Sequence, residues 1–138
     1  MGQGATTTAY GREDGLQNYP NIKALISIQP LNYEKFVAAL GFPPLLINRA
    51  NKVIEQKTGL NFNENNFMPN VKDITVPTFV IQNKNDPWTD FDLVNEYYDR
   101  LNVEKELLWL DLVENRGAAY DWIGKNPEPI VKWFSKYM

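Results

Sequence analysis

The segment Val76–Asp92 constrains the fold of this chain more than any other stretch. It contains a continuous apolar, β-branched and aromatic run, Thr78–Ile81, which is typical of a strand buried on both faces. Asn and Asp residues then favour a turn, and Pro87 disfavours helical backbone geometry at Asp86. The sequence therefore predicts a buried strand that ends abruptly in a polar loop.

A helix is predicted after this loop, with Thr89 or Asp90 as its N-cap. Its apolar residues recur at near-helical spacing: Phe91, Val94, Tyr98 and Leu101. The carboxylate of Asp86 is therefore expected at the C-terminal edge of a buried parallel strand. In open α/β sheets, ligands and catalytic groups collect at that edge.

Two more apolar runs predict two more strands, Ile22–Ile28 and Lys105–Val113. The segment Glu114–Trp122, which contains Gly117, is predicted to be a loop. A terminal helix is predicted to start at Asn126-Pro127-Glu128, which supplies an N-cap, a proline and an acid in the first turn. Its buried face is expected to consist of Ile130, Val131, Phe134 and Tyr137. Because strands alternate with helices, an α/β fold is expected, with a three-stranded parallel sheet flanked by helices.

The remaining segments add helices to this plan. The small residues of Met1–Tyr10 predict a helix that packs closely against a neighbour, and the expected contact face is Gly2, Gly4, Ala5 and Ala9. Leu31–Pro69 carries the patterns of two amphipathic helices, which end near Gly41 and Gly59. It is interpreted either as a helical cap-like insertion over a site or as packing under a long connection. No linker divides the sequence, so residues 1–138 are expected to form one domain.

Composition excludes several classes of function. A net charge of -3 argues against nucleic-acid or acidic-membrane partners, which require a basic patch. No window approaches the roughly 18 consecutive apolar residues of a membrane span, and the N-terminus lacks the pattern of a signal peptide. Cysteine is absent, which fits a cytoplasmic protein and excludes thiol chemistry. Histidine is absent too, which removes the usual base of serine hydrolases and the commonest metal ligand.

Three residues near the predicted sheet edge are candidates for a site. Asp86 is the best single candidate, although an Asp before a Pro can also simply form a turn. Arg116 follows the third strand, so it is expected at the same edge, where it could form either a functional or a structural ion pair with Asp86. Trp88 could wall a pocket or only pack. Asp90 and Asp92 could join Asp86 around a cation, but the calcium-loop pattern is missing, so neither a metal nor another cofactor is predicted.

The order of these elements resembles the C-terminal half of an α/β-hydrolase. In that family the nucleophile elbow leads from the fifth strand into a helix, and the cap, the acid and the histidine follow the sixth, seventh and eighth strands in turn. The matching segments are Met1–Ala5 just after the nucleophile, Ile22–Pro30 as the sixth strand, Leu31–Pro69 as the cap, Val76–Trp88 as the seventh strand and its acid loop, Leu107–Val113 as the eighth strand, and Asn126–Met138 as the last helix. The resemblance implies half of an α/β-hydrolase sheet, with Asp86 as the residual triad acid.

The departures from that family pattern also have functional implications. The sequence starts just beyond the position of the nucleophile, and the position expected for the histidine falls in Asn115-Arg116-Gly117. An acid without these partners has nothing to orient, so esterase or peptidase activity is not expected from this polypeptide alone. The family's fifth strand would pair with Ile22–Ile28, which is therefore expected to be a bare edge that favours association.

Three functions remain open at this point. The first is a truncated hydrolase-like domain that acts by association, either as a homo-oligomer or with a complementary N-terminal half, through the edge of Ile22–Ile28. The second is a fragment or half of a serine-type hydrolase of small esters, amides or related acyl compounds, with Asp86 as its triad acid. The third is a small-molecule binding module that uses the cap and Trp88.

Overall fold

The computed structural model describes residues 2–31, 36–38, 40–58, 67–89 and 91–138. In this part of the chain three strands form one parallel sheet with the order β1-β2-β3. The strands are β1 (Leu25–Ile28), β2 (Thr78–Asn83) and β3 (Lys105–Leu110). The predicted α/β class is confirmed, and each strand is found inside or across the segment predicted for it.

Helices flank the sheet. In chain order they are α1 (Gly2–Tyr10), α2 (Pro44–Thr58), α3 (Phe91–Arg100), α4 (Gly117–Lys125) and α5 (Glu128–Ser135), with 3₁₀ turns at Leu16–Asn18 and Met68–Asp73. None of the helices in the described ranges is long and apolar enough to cross a membrane.

The central strand β2 is buried along its whole length. Its alternate side chains point to opposite faces, as strand geometry requires. Val80 contributes to a core with α1, α3 and the second 3₁₀ turn, whereas Phe79 and Ile81 contribute to a core with α4 and α5. Apolar contact on both faces explains why β2 reads as an uninterrupted hydrophobic run.

The first strand is an edge of the described sheet. Its ladder with β2 continues through the N–H groups of Leu25 and Gln29, which donate to the carbonyls of Pro77 and Ile81 at 2.8 Å each. Successive residues of a strand direct their N–H and C=O groups to opposite sides, so those of Ile26 and Ile28 point away from β2. The predicted bare edge is therefore found in β1, although the strand begins at Leu25 rather than at Ile22.

The predicted loop at Glu114–Trp122 was wrong, because helix α4 starts at Gly117. Asn115, two residues before the helix, accepts hydrogen bonds from its first turn. Its Oδ1 accepts the N–H of Gly117 at 2.7 Å, and its carbonyl accepts the N–H of Ala118 at 3.2 Å. Ala119 and the aromatic face of α4 then pack into the core beneath the sheet. Burial of that face outweighs the helix-weakening effect of a glycine in the first turn.

In three other helices the buried residues differ in part from those expected from the sequence. Val131 is 58% exposed on α5, and Trp133 occupies the core in its place. In α1 the buried residues are Thr7 and Tyr10, whereas Gly2 and Ala5, predicted as contact residues, are exposed. Gly4 does make the predicted close approach, since a Cβ there would lie 3.3 Å from the Phe67 ring.

The buried face of α3 also differs from the predicted one. Leu93 and Tyr97 are buried, whereas Phe91 and Tyr98 are not.

Helix α2 confirms the second helix predicted within 31–69. Its described side chains are all half-buried or exposed, and the most exposed apolar ones are Leu45, Leu46 and Val53. The first predicted helix of that segment is helical at 36–38 and followed by a turn at residue 40, whereas 32–35, 39 and 59–66 lie outside the described residues. A cap-like role for 31–69 stays a prediction.

Candidate functional site

Asp86 lies directly beyond the C-terminal end of β2, in the loop where the sequence predicted it. Its side chain is fully buried, and three donors surround the carboxylate. Nη1 of Arg116 lies 2.6 Å from Oδ2, the backbone N–H of Trp88 lies 2.9 Å from Oδ1, and Nε2 of Gln82 lies 3.4 Å from Oδ2. A buried charge is stable when it is paired and hydrogen-bonded in this way.

Arg116 connects three segments of the chain at this edge. Besides Asp86, its guanidinium contacts the Thr89 hydroxyl at 3.3 Å and the carbonyl of Gln29 at 2.9 Å. The side chain is 12% exposed, so these contacts are largely shielded from water. The predicted meeting of Asp86 and Arg116 is thus found in the structure.

Two asparagines, one at the end of β2 and one just after it, fix the position of the segment that leads to Arg116. The Asn83 side chain accepts the N–H of Leu112 at 3.1 Å and donates to the carbonyl of Val113 at 3.0 Å. Nδ2 of Asn85 donates to the carbonyl of Leu112 at 2.6 Å. These bonds hold the segment after β3 against the acid loop, so that Arg116, the residue just before α4, lies next to Asp86.

Trp88 lies beside the ion pair. The guanidinium carbon of Arg116 is 6.0 Å from the centroid of its ring, and Phe36 approaches the ring edge-on at 5.3 Å. Cations and aromatic edges are both attracted to the negative face of an indole. All three predicted site residues therefore lie together, and Trp88 packs within this cluster.

The alternative cation site does not assemble in the described part of the chain. No group of three or more His, Cys, Asp or Glu residues there could hold a metal ion. Asp86 already faces Arg116, and Asp92 is exposed on α3. Asp90, the third residue considered for a cation and one of the two alternative N-caps, lies outside the described residues. The other, Thr89, directs its hydroxyl to the carbonyl of Pro30 at 3.2 Å.

A cavity of about 380 Å³ lies between α1 and the edge of β1, and Arg116 forms part of its wall. Its walls include Gln3, Thr7, Leu25–Gln29, Tyr97 and Tyr120, together with Arg116 itself. Of the three predicted site residues, only Arg116 reaches it. The volume falls within the range of small-molecule pockets.

Gln29 joins the cavity to the ion pair. Its backbone has a φ of 51°, in the left-handed region that side-chain-bearing residues rarely adopt. Its N–H donates to Ile81, its carbonyl accepts from Arg116, and its Nε2 donates to the carbonyl of Arg116. Three bonds thus hold a strained residue in place, and such residues concentrate at functional sites.

Sequence reasoning recognised Gln29 only as the end of a strand. A residue before proline is expected to be extended, so nothing local predicts its positive φ. The available signal was weaker: Gln29 and Ser27 are polar residues in or beside a run predicted to be buried. A buried polar residue needs a partner, and that requirement could have marked both positions.

No protein-family model matches this chain, and no curated protein matches it either. The geometry of the sheet, its open edge and the contacts of Asp86 is therefore the basis for assigning a function.

Proposed function

We propose that this chain is an α/β-hydrolase-like half-domain that does not catalyse hydrolysis by itself and acts by association through the open edge of β1. The observation that carries the proposal is the edge itself. Ile26 and Ile28 direct backbone N–H and C=O groups away from β2, toward a cavity rather than toward another strand of the described sheet. Such groups form a template for an added strand.

The contacts of Asp86 support the absence of catalysis by this chain alone. In the resemblance to α/β-hydrolases, this carboxylate would face a histidine that acts as a base. Here it faces Arg116, and the chain contains no histidine. A guanidinium stays protonated in proteins and has no acceptor, so it cannot remove a proton from a nucleophile. The ion pair therefore supports a structural role for the acid.

The composition of β1 supports association. Leu25, Ile26 and Ile28 are half-buried apolar residues on an edge, without the charges or prolines that commonly protect edges from pairing. A second copy could pair its own β1 across a two-fold axis, and such isologous contacts are the commonest form of dimer. A complementary N-terminal half could supply the strand instead.

A concentration series by size-exclusion chromatography with light scattering tests the association. We expect the mass of the purified chain to rise from monomer to dimer, and hydrogen exchange at the amides of Ile26 and Ile28 to slow over the same range. A mass that stays monomeric at the highest concentration, with unchanged exchange, contradicts the homodimer.

A proline substitution isolates the edge. Ile26→Pro removes an N–H that the ladder with β2 does not use, so edge-strand geometry tolerates it, yet an added strand loses a donor. We expect this variant to remain folded and monomeric. Ile26→Thr keeps the N–H and the β-branched shape, and it should still associate. If both variants associate equally, strand pairing is not the mode of contact.

The second candidate is half of a serine-type hydrolase with Asp86 as triad acid. The observation that favours it is that Arg116, the partner of Asp86, forms part of the cavity wall. p-Nitrophenyl acetate tests for catalysis by this chain: we expect no turnover above the uncatalysed rate. Turnover that disappears in Asp86→Asn would favour the hydrolase instead.

A further inference from the structure

The cavity between α1 and β1 contains unused hydrogen-bonding capacity. Within the described part of the chain, Oε1 of Gln3, Oγ of Ser27 and Oε1 of Gln29 are buried and have no hydrogen-bond partner. All three residues line this cavity. Ser27 and Gln29 are only 4% and 1% exposed, so bulk water does not reach them freely. Buried polar atoms are normally satisfied, and three exceptions around one space indicate a missing partner.

The orientation of the Gln29 amide is fixed by its surroundings. Nε2 faces the carbonyl of Arg116, which can only accept, so this nitrogen must be the donor end. Oε1 is consequently an acceptor. The Gln3 amide has its Nε2 on the Thr7 hydroxyl at 2.9 Å, which leaves its oxygen as a second acceptor. Ser27 adds a hydroxyl that can either accept or donate.

The charges around the cavity select against ionic ligands. Arg116 is the only charged residue in the described wall, and Asp86 already neutralises it. None of the described residues that line the space is acidic, so a cation would have no counter-charge among them. An anion would meet two carbonyl-type oxygens and a guanidinium that already donates to Asp86, Thr89 and the Gln29 carbonyl through three of its five N–H groups.

The rest of the wall combines apolar side chains with the hydroxyls of Thr6 and Thr7 and the outward backbone groups of Ile26 and Ile28. Leu25, Ile26, Ile28 and Leu31 contribute aliphatic surface, and Tyr97 and Tyr120 contribute aromatic surface. An apolar pocket with a few convergent polar groups is the usual form of a small-molecule site. We propose that this cavity binds a small neutral compound with an apolar or aromatic body and an amide- or urea-type head group, whose N–H donors reach the free oxygens of Gln3, Ser27 and Gln29.

This proposal goes beyond association, although the two share a wall. A ligand beside Ile26 and Ile28 would compete with an added strand, so binding must be measured on the monomer. The protein is diluted until light scattering gives a monomer mass. If it pairs at every accessible concentration, the Ile26→Pro variant is used.

Protein-observed NMR titration with four phenyl compounds tests the head group. Benzamide and phenylurea carry the expected N–H donors, acetophenone has a similar body without them, and benzoate is the anionic counterpart. We expect saturable shifts with benzamide and phenylurea at the amides of Gln3, Ser27 and Gln29. Acetophenone and benzoate should bind at least ten-fold more weakly.

Two substitutions test the acceptors. Gln29→Met keeps the side-chain length and removes the acceptor, and Ser27→Ala removes the hydroxyl without adding volume. Each should weaken benzamide binding several-fold, and Ser27→Ala keeps the test valid if loss of the Gln29 bond to Arg116 impairs folding. Gln17→Met, on the exposed first 3₁₀ turn, should leave binding unchanged.

Several results would overturn the proposal. Equal affinity for benzamide and acetophenone would mean a merely apolar gap, and tighter benzoate binding would mean an anion site at Arg116. Shifts with none of the compounds would mean that water alone fills the cavity. Failure of association is read separately: a chain that stays monomeric yet binds benzamide refutes only the edge-pairing proposal.

Discussion

Oδ2 of Asp86 lies 2.6 Å from Nη1 of Arg116, and this contact ties the end of β2 to the start of α4. The carboxylate is fully buried and the guanidinium is nearly so. The carboxylate neutralises a permanent cation rather than orienting a histidine, since the sequence contains none. The pair therefore joins two elements that follow different strands, and its main expected effect is on stability.

Breaking this pair from one side should be costly. Arg116→Met leaves the Asp86 carboxylate buried without its cation, and we expect the free energy of unfolding to fall by about 3 kcal/mol. Asp86→Asn should lower the free energy of unfolding by less than Arg116→Met does. The double variant should lower it by less than the sum of the two single decreases. Urea denaturation at pH 7 measures all three. Arg100→Met, which breaks an exposed pair with Glu96 on α3, serves as control and should cost under about 1 kcal/mol. Similar losses for Arg116→Met and Arg100→Met would show that the buried pair contributes little.

The positive φ of Gln29 leads to a second prediction. Gln29→Ala and Gln29→Gly both lose the side-chain bond to Arg116, but only alanine keeps a Cβ in the left-handed region. The glycine variant should therefore be more stable than the alanine variant by about 1 kcal/mol. At Asn95, an exposed position inside α3, the order should reverse, because alanine is the better helix former by about 1 kcal/mol. Denaturant unfolding of the four variants gives both differences, and the same order at both positions would contradict the backbone argument.

The parallel sheet could be predicted because each strand is marked by residues that are adjacent in the sequence. Thr78–Ile81 is apolar on both faces, and the polar residues after it mark the end of the strand. The position of Asp86 next to Arg116 followed from topology, since parallel strands end at one edge. Helix α4 was missed because Gly117 suggested a loop, whereas the capping contact of Asn115 and burial of the far face decide the outcome.

The cavity could not be predicted in the same way. It exists because α1 and the edge of β1 stand apart, and that spacing depends on packing between segments distant in sequence. The left-handed backbone of Gln29 likewise depends on Ile81 and Arg116, which are far from it along the chain. Trp88 packs beside Arg116 and is not among the described residues that line the cavity.

Two glycines with different surroundings give a third prediction. A Cβ at Gly15 would lie 2.3 Å from the carbonyl oxygen of Ala9 and 2.6 Å from that of Arg12, and backbone atoms cannot easily move away. Gly15→Ala should therefore lower the free energy of unfolding by about 2 kcal/mol. A Cβ at Gly4 would meet only the Phe67 ring at 3.3 Å, and alanine favours the helix, so Gly4→Ala should be close to neutral. Equal losses in urea denaturation would contradict the steric argument.

The ion pair between Glu104 and Lys136 gives a prediction about pH. The hydrogen bond from Lys136 holds the pKa of Glu104 below its ordinary value of 4.5, and the bond to Glu104 raises the pKa of Lys136 to about 12. A depressed carboxyl pKa stabilises the fold above pH 4.5, and this contribution is lost as the pH falls through the folded-state pKa. The raised pKa of Lys136 stabilises the fold fully below its ordinary value of 10.5, and this stabilisation is lost as the pH rises through about 12.

Carboxyl-detected NMR titration of Glu104 checks the acid end of this prediction. In Lys136→Met the pKa of Glu104 should return toward 4.5, and high salt should move the wild-type value in the same direction, because both side chains are about half exposed. Urea denaturation between the depressed pKa and pH 4.5 should show stability falling more steeply with acid in the wild type than in Lys136→Met. Lys84→Met removes a different exposed ion pair, the one with Asp111. Asp111 follows β3, whereas Glu104 precedes it, so the titration of Glu104 should stay unchanged. An identical pKa of Glu104 in the wild type and in Lys136→Met would mean that the contact between the end of α5 and the start of β3 does not persist in solution.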